Sequence, residues 1–382
     1  MIRTADVVII GGGISGCSSA YQLAKRGVKN IVVVERGFVC RGSTGACGAG
    51  VRMQWGTEMN CRLAQYSIDF YERANELLEY EGDVEFKQKG YLLISDDERE
   101  LEQFKKNIAV QRALGIDSRI ITLEEAKSLV PHLNAEILKG AAYCEKDGFL
   151  NPFLTTDAFY RAARRMGVAF LTHTEVTGIR LQNSRVAAVE TSAGPIFTRV
   201  AVNAAGGYAR RICDMAGVEF PSYSERHQIL VTEPVEPMQD PMVMSFGMNL
   251  YAQQSPHGSF IMGRSDESEP RDLRVTSSWR FLEEMAVTIR RVLPPVAKLR
   301  VIRQWAGLYN ITPDRQPVYD EAQEAAGFFI AAGFSGHGFM FGPVTGMAVA
   351  DMVLNQHCGL DVSRLGLKRF ESGGLVYEPS VV

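Results

Sequence analysis

VVIIGGGISG, residues 7–16, sets four β-branched residues directly before four glycines in six positions. An apolar run so short and so branched reads as a buried strand, and the glycines read as a tight turn into the helix CSSAYQLAKRG at 17–27. Gly11, Gly13 and Gly16 form G-x-G-x-x-G. The first glycine permits the turn, the second lets a pyrophosphate reach the backbone, and the third lets helix and strand pack closely. Ile14 and Ser15 stand at the helix start, where partial positive charge meets phosphate. IVVVE at 31–35 closes the unit, so the carboxylate of Glu35 is placed to accept hydrogen bonds from a ribose diol. Together these are a dinucleotide-binding βαβ unit.

The segment after Glu35 separates two cofactors. A nicotinamide enzyme ordinarily completes a second mononucleotide half at once, whereas this chain runs into the glycine-rich RGSTGACGAGVR at 41–52. A second glycine-rich motif, GFSGHGFMFGP, occupies 333–343, after the apolar FFIAA and before a helical stretch. Pro343 suits the first turn of that helix, where its missing N–H costs nothing.

The bulk properties narrow the class. With 41 basic and 44 acidic residues and no run of like charge, the chain gives no reason to expect nucleic acid or an anionic membrane as partner. The seven cysteines (17, 40, 47, 61, 144, 213 and 358) are odd in number and contain no C-x-x-C, which reads as a reduced, cytoplasmic protein. Neither they nor the six histidines have ligand spacing, so no metal is expected. No apolar run reaches membrane-spanning length, and no G-x-S-x-G elbow supports hydrolase chemistry.

Two characters alternate along the 382 residues. Helical periodicity runs from Glu58 to Tyr80, through DDERELEQFKKNIAVQRALG (96–115), LEEAKSLVP (123–131), TTDAFYRAARRMG (155–167) and SWRFLEEMAVTIRRVLP (278–294). Strands are expected at YLLIS (91–95), VAFLTH (168–173) and RVAVNAAG (199–206), with a hairpin around QNSR (182–185) and a strand-rich 221–319. The expected fold class is α/β: a Rossmann-like cofactor-binding domain from 1–83, 141–220 and 320–382, interleaved with a mixed-sheet α+β substrate domain from 84–140 and 221–319.

Over nearly its whole length the chain resembles the FAD-dependent amine oxidoreductases of the D-amino-acid oxidase and sarcosine oxidase superfamily. Within it, ACGAGVR (46–52) and WAGLYNITPD (305–314) resemble blocks of the β subunits of dye-linked L-proline dehydrogenase and heteromeric sarcosine oxidase. The resemblance implies non-covalent FAD, with Glu35 and Arg36 near its adenosine and pyrophosphate. It implies a flavin contact at Ser43, Thr44, Ala46, Cys47 and Gly48, an adenine contact at the backbone of Val176 after Glu175, and a pyrophosphate contact at Ala205 and Gly206. Gly307, Gly336, His337, Gly338, Phe339 and Met340 are implied to lie against the flavin, with the helix after Pro343 directed at the edge that becomes anionic on reduction.

The implied reaction is oxidation of an amino acid or secondary amine carboxylate, of proline, sarcosine or glycine type, to an imine by hydride transfer to the flavin. Arg52 is the expected carboxylate clamp, Tyr251 and His337 are further catalytic candidates, and Tyr251, Met340, His227 and Trp305 are candidates for substrate contact, with Trp55 and Tyr309 beside them. Three departures from the sarcosine oxidase pattern carry weight. Gly307 stands where those oxidases have the cysteine that tethers flavin, Ile261 stands where they have the lysine that assists oxygen, and Met340 stands where they have a second carboxylate-binding lysine. A dehydrogenase is therefore expected, passing electrons to a second subunit or another acceptor; the alternatives are an oxygen-using sarcosine or glycine oxidase and a flavin-carrying subunit active only within a hetero-oligomeric complex. DGFLNPFLTTDAF (147–159) has no histidine, although sarcosine oxidase β subunits attach an interfacial FMN in that region.

Overall fold

The computed structural model describes residues 2–266, 268–357 and 359–380; Cys358 lies outside them. Val7–Ile10 forms the expected first strand and sits inside a six-stranded sheet. Across that sheet the order is Val318–Glu321, Phe328–Ala332, Ala201–Asn203, Val7–Ile10, Ile31–Val34 and Ala169–Leu171. The pairings are parallel except at the Val318–Glu321 edge, with Val8 opposite Ala201 and Ala201 opposite Phe328.

The continuous apolar run of the first strand follows from burial on both faces. Val7, Ile9, Ile31 and Val33 turn toward the helices Ile14–Lys25, Glu58–Glu72 and Gly342–Leu354. Val8, Ile10, Val32 and Val34 turn toward the three-stranded sheet, including Val176–Gln182, and the helix Ala209–Met215. That small sheet holds the expected hairpin, with Asn183 and Ser184 both at positive φ in its turn.

The helix expected from Glu58 to Tyr80 is shorter. It ends at Glu72, because Arg73 leaves helical geometry (φ −113°, ψ 14°), and a separate turn covers Ala74–Leu77.

An eight-stranded sheet stands beside the first. Its order is Val301–Ile311, Tyr223–Pro234, Ser259–Arg264, Leu250–Gln254, Met242–Ser245, Tyr91–Ser95, Gly140–Cys144 and Ser118–Ile121. Residue 140, the expected domain cut, therefore opens a strand that is paired on both edges in this sheet. Successive side chains alternate between its faces. Leu92, Ile94, Leu230, Val243, Ala252 and Met262 pack under the amphipathic helix Trp279–Val292 through Phe281, Met285, Ile289 and Val292. Tyr91, Leu93, Met242, Met244 and Tyr251 point the other way. A one-residue slip in register would exchange the two sets.

The loop at 41–50 joins the two sheets. The Ser43 hydroxyl donates to the Leu308 carbonyl at 2.6 Å, and the Trp305 indole N–H donates to the Ala46 carbonyl at 3.0 Å. No helix among the described residues is long and apolar enough to cross a membrane.

Candidate functional site

The glycine motif sits where the first strand hands over to the helix Ile14–Lys25. Gly11 has φ +110°, and a Cβ there would stand 2.5 Å from the Ala204 carbonyl oxygen. A Cβ on Gly16 would stand 1.9 Å from the Gly11 carbonyl oxygen, so the third glycine is fixed by helix–turn contact. The Glu35 carboxylate accepts hydrogen bonds from the Gly12 N–H (2.9 Å) and the Gly37 N–H (2.7 Å). Thr44 Oγ1 accepts from the Ile14 N–H at 3.1 Å, which ties the 41–50 loop to the helix start.

A long groove of about 320 Å³ opens from this turn. Along it lie Gly11, Gly13, Ile14, Ser15, Glu35, Arg36, Ser43, Thr44, Ala46, Cys47, Glu175, Val176, Ala205, Gly206, Gly307, Gly336, Gly338 and Phe339. Gly16 is behind the turn, and Gly48, His337 and Met340 belong to the adjoining cavity. Sequence reasoning missed Tyr208, Arg41 and Arg211 in the groove. The Arg36 guanidinium lies 3.6 Å from the Tyr208 ring centroid. No sequence signal connects Tyr208 with Arg36, because the turns after Ala201–Asn203 and Ile31–Val34 come together only when the folded sheet sets both strands beside Val7–Ile10.

These donors suit FAD. The groove combines a helix N-terminus, a strand-end carboxylate and arginines, which match pyrophosphate and ribose. A Cβ built on Gly42 or Gly206, both in the groove wall, would meet nothing within 4 Å, so the wall is open where a cofactor backbone would pass.

At its far end the groove meets a cavity of about 110 Å³ between the loop and the inward face of the larger sheet. A water needs about 10–15 Å³ by this measure, so the space suits a small molecule and excludes a peptide. Arg52, Trp55, Tyr91, His227, Met242, Met244, Tyr251, Tyr309, His337 and Met340 line it. Of the expected substrate contacts only Trp305 is absent from the wall; it stands behind the Ala46 carbonyl that it holds.

Arg52 follows the two-residue strand Gly50–Val51 and is 2 % exposed. One Nη donates to the Gln54 carbonyl and the other to the Ser380 carbonyl, while Nε has no partner among the described residues. Its guanidinium lies 3.9 Å from the Trp55 ring centroid. Burial pushes its pKa down from the usual arginine range, with Tyr91, Glu378 and Asp147 acting in the opposite direction. It remains a cation at neutral pH.

The histidines take a different part. His227 is sandwiched between Tyr309 (4.2 Å, 3° between planes) and Tyr251 (6.0 Å, 12°), and burial pushes it down to about 4. His337 stands edge-on to Trp55 and Phe341, both at 5.1 Å, and burial with the nearby Arg52 charge pushes it down to about 3. Both are neutral near pH 7, and neither is a base strong enough to hold a proton there. Burial raises Tyr91, Tyr251 and Tyr309, so their hydroxyls stay protonated and able to donate. The Cys47 thiol, shared by groove and cavity, is pushed up to about 12 by burial and donates to the Thr44 carbonyl. Gly336 has φ +100°, and a Cβ on it would stand 2.5 Å from the Tyr309 ring, so the second glycine motif lets the backbone pass this wall.

Asp147 is a second residue that the sequence left unmarked. It is fully buried and accepts from the Met53 N–H (2.7 Å) and the Gln54 side-chain amide (2.9 Å), bracing the segment that carries Arg52. Burial pushes its carboxyl up to about 7, against the hydrogen bonds and the Arg52 charge. An unfolded aspartate titrates near ~3.9, so between about pH 4 and 7 the native state keeps a proton that the unfolded chain has released. This group's contribution to stability therefore falls as pH rises through that window. Asp147→Asn is expected to remove this component, seen as a flatter Tm against pH between about 4 and 7. Parallel profiles for the two proteins would contradict it.

Residues 6–352 match the family described as FAD dependent oxidoreductase. The chain is 29% identical over 378 residues to the sarcosine oxidase subunit beta of Rhodobacter capsulatus, covering 98% of this chain and 90% of the relative. It is 31% identical over 385 residues to the mitochondrial sarcosine dehydrogenase of Mus musculus, covering 96% of this chain but 41% of that protein. Among solved structures, L-proline dehydrogenase from P. horikoshii superposes with a TM-score of 0.93 at 36% identity, covering 98% of this chain and 100% of the other. Glycine oxidase from Geobacillus kaustophilus shares the fold, with a TM-score of 0.89 at 24% identity over 96% and 99% of the two chains. With the groove suited to FAD and a small cavity beside it, the chain belongs to the FAD-dependent oxidoreductase family, as an enzyme that oxidises amino acids or amines.

Proposed function

We propose that the substrate is a small secondary amine bearing an α-carboxylate, of proline or sarcosine type, and that electrons leave to an acceptor other than oxygen. The observation that carries this reading is the buried Arg52 in the wall of a cavity of small-molecule size, with Nε paired to no group among the described residues. Its two Nη groups are held by neutral carbonyls, so its charge is left for an anion. The likeness to the L-proline dehydrogenase structure and to sarcosine oxidase β subunits points to the same substrates.

In this reading Arg52 binds the carboxylate, and the thioethers of Met242, Met244 and Met340 accommodate the apolar part of the amine. The aromatic walls exclude water, which strengthens the Arg52 contact. FAD, when bound in the groove, supplies the two-electron acceptor. With His227 and His337 held neutral and weakly basic, no histidine of the cavity takes the amine proton. The amine therefore binds in its neutral form, with its lone pair free.

Ile261 supports the choice of acceptor. It pairs with Gln253 across the sheet, and the Gln253 amide donates to the Gly48 carbonyl at 2.7 Å. By the resemblance this position carries the lysine that assists oxygen, and isoleucine brings no charge in its place. Mixed anaerobically with L-proline, sarcosine or glycine, the FAD-loaded enzyme is expected to bleach with one of the first two. Turnover with an artificial dye should exceed oxygen consumption at least about tenfold, a barrier difference of about 1.4 kcal/mol. Rapid peroxide formation matching dye turnover would refute the dehydrogenase reading. The β-subunit names among its relatives favour a further reading, in which the chain works within a hetero-oligomer. Purification of the native complex from its source tests that.

A further inference from the structure

The Arg52 guanidinium is held from a distant part of the sequence. Arg52 donates one Nη–H to the carbonyl of Ser380, 328 residues away. Residues 376–380 reach that point as a strap fixed at both ends. At the near end the Val376 N–H donates to Asp314 (3.1 Å), the buried aspartate of the TPD block, which is also paired with Arg369 at 2.8 Å. At the far end Glu378 accepts from the Gly56 N–H (2.7 Å), the Thr57 N–H (3.0 Å) and hydroxyl (2.7 Å), the Asn60 amide (3.1 Å) and the Ser380 N–H (3.0 Å). Asn107 adds a bond to the Ser380 hydroxyl at 2.7 Å.

Glu378 thereby occupies the N-terminus of the helix Glu58–Glu72, whose N-cap is Thr57, and satisfies donors that would otherwise be unpaired. Its carboxylate engages that helix end, while a neutral carbonyl touches Arg52. The arginine is thus oriented without being neutralised. Gly56 is matched to this seat: a Cβ on it would stand 2.3 Å from Pro379 Cγ and 2.8 Å from Asn107 Oδ1.

We propose that the 376–380 strap is a positioning element for substrate recognition, with Glu378 its key residue: through the Ser380 carbonyl it fixes the Arg52 guanidinium in the cavity wall, where the carboxylate of the substrate binds. This rests on the reading of Arg52 as the carboxylate clamp. The strap takes no part in electron transfer, so its loss should weaken carboxylate binding more than it slows turnover of bound substrate.

The test uses the full-length, FAD-loaded protein and pyrrole-2-carboxylate, a planar carboxylate probe that binds without turnover, titrated by the change in the visible spectrum of bound FAD. The variants are Gly56→Ala, Glu378→Gln, a chain ending at Leu375, Arg52→Ala, and Tyr377→Ala, an exposed strap residue outside the contacts above. Gly56→Ala and Glu378→Gln are expected to weaken the probe about tenfold and to raise KM for L-proline equally, with kcat within about threefold and FAD content unchanged. Tyr377→Ala should stay within about twofold. Gly56→Ala keeps the proposal testable if the shortened chain fails to fold. If Arg52→Ala weakens the probe but Gly56→Ala and Glu378→Gln do not, the strap is merely structural and the proposal is overturned. If Arg52→Ala itself leaves the probe unaffected, the clamp reading fails, and the strap proposal falls with it.

Discussion

An Arg52→Ala enzyme is expected to show a KM for L-proline raised about 10²–10³-fold, with its FAD still bound. A hydrogen bond to a charged group contributes roughly 1.5–3 kcal/mol, and a carboxylate on a guanidinium forms two such bonds. Losing about 3–4 kcal/mol gives that range at about 1.4 kcal/mol per decade. The low exposure of Arg52 places the pair at the strong end, because little water competes. Some stability will be lost as well, since the Gln54 and Ser380 carbonyls lose a donor. Steady-state kinetics with the FAD absorbance ratio monitored in parallel separate the two effects. A KM within about threefold of the parent would remove Arg52 from the substrate site.

Gly16→Ala is expected to bind FAD about 10–100-fold more weakly, the cost of about 1–3 kcal/mol for forcing atoms into a filled space. The methyl would lie 1.9 Å from the Gly11 carbonyl oxygen, and relief requires the turn under the pyrophosphate to shift. Gly27→Ala is the control. Its φ of +89° makes alanine unfavourable, yet nothing lies within 4 Å of the new Cβ, so stability should drop while FAD affinity is kept. Equal FAD affinity in the two variants, measured by equilibrium titration of the apoprotein, would refute the packing argument for Gly16.

The parts of this enzyme that could be read from its sequence are those whose physics is local. Gly11, Gly13, Gly16 and Glu35 lie within one βαβ unit, and the constraints on them are a turn, a helix end and a strand end. The continuous apolar run of YLLIS, buried throughout, and the Asp97 N-cap of the charged helix after it are equally local. Arg52, Tyr251 and Met340 came from likeness to a family, since nothing in their neighbours distinguishes a cavity residue from a packed one. Trp305 shows the limit: an aromatic residue in the right block turned out to support the cofactor loop. Asp147, Tyr208 and Glu378 left no trace in the sequence. Each acts on a residue tens to hundreds of positions away, and only the folded chain shows that Glu378 meets Gly56.

The register of the six-stranded sheet also has a consequence for biosynthesis. Val8 pairs with Ala201, and Ala201 in turn with Phe328. At about 5–20 residues per second, the ribosome needs about 10–40 s to deliver the first of these partners after the opening strand has emerged, and more for the second. During that time a strand of four β-branched residues has no neighbour on its Ala201 side, and exposed edges of this kind recruit other chains. The nascent protein must therefore be shielded until its last quarter has been made, and low temperature or chaperone supply during expression should govern its yield more strongly than the stability of the finished fold.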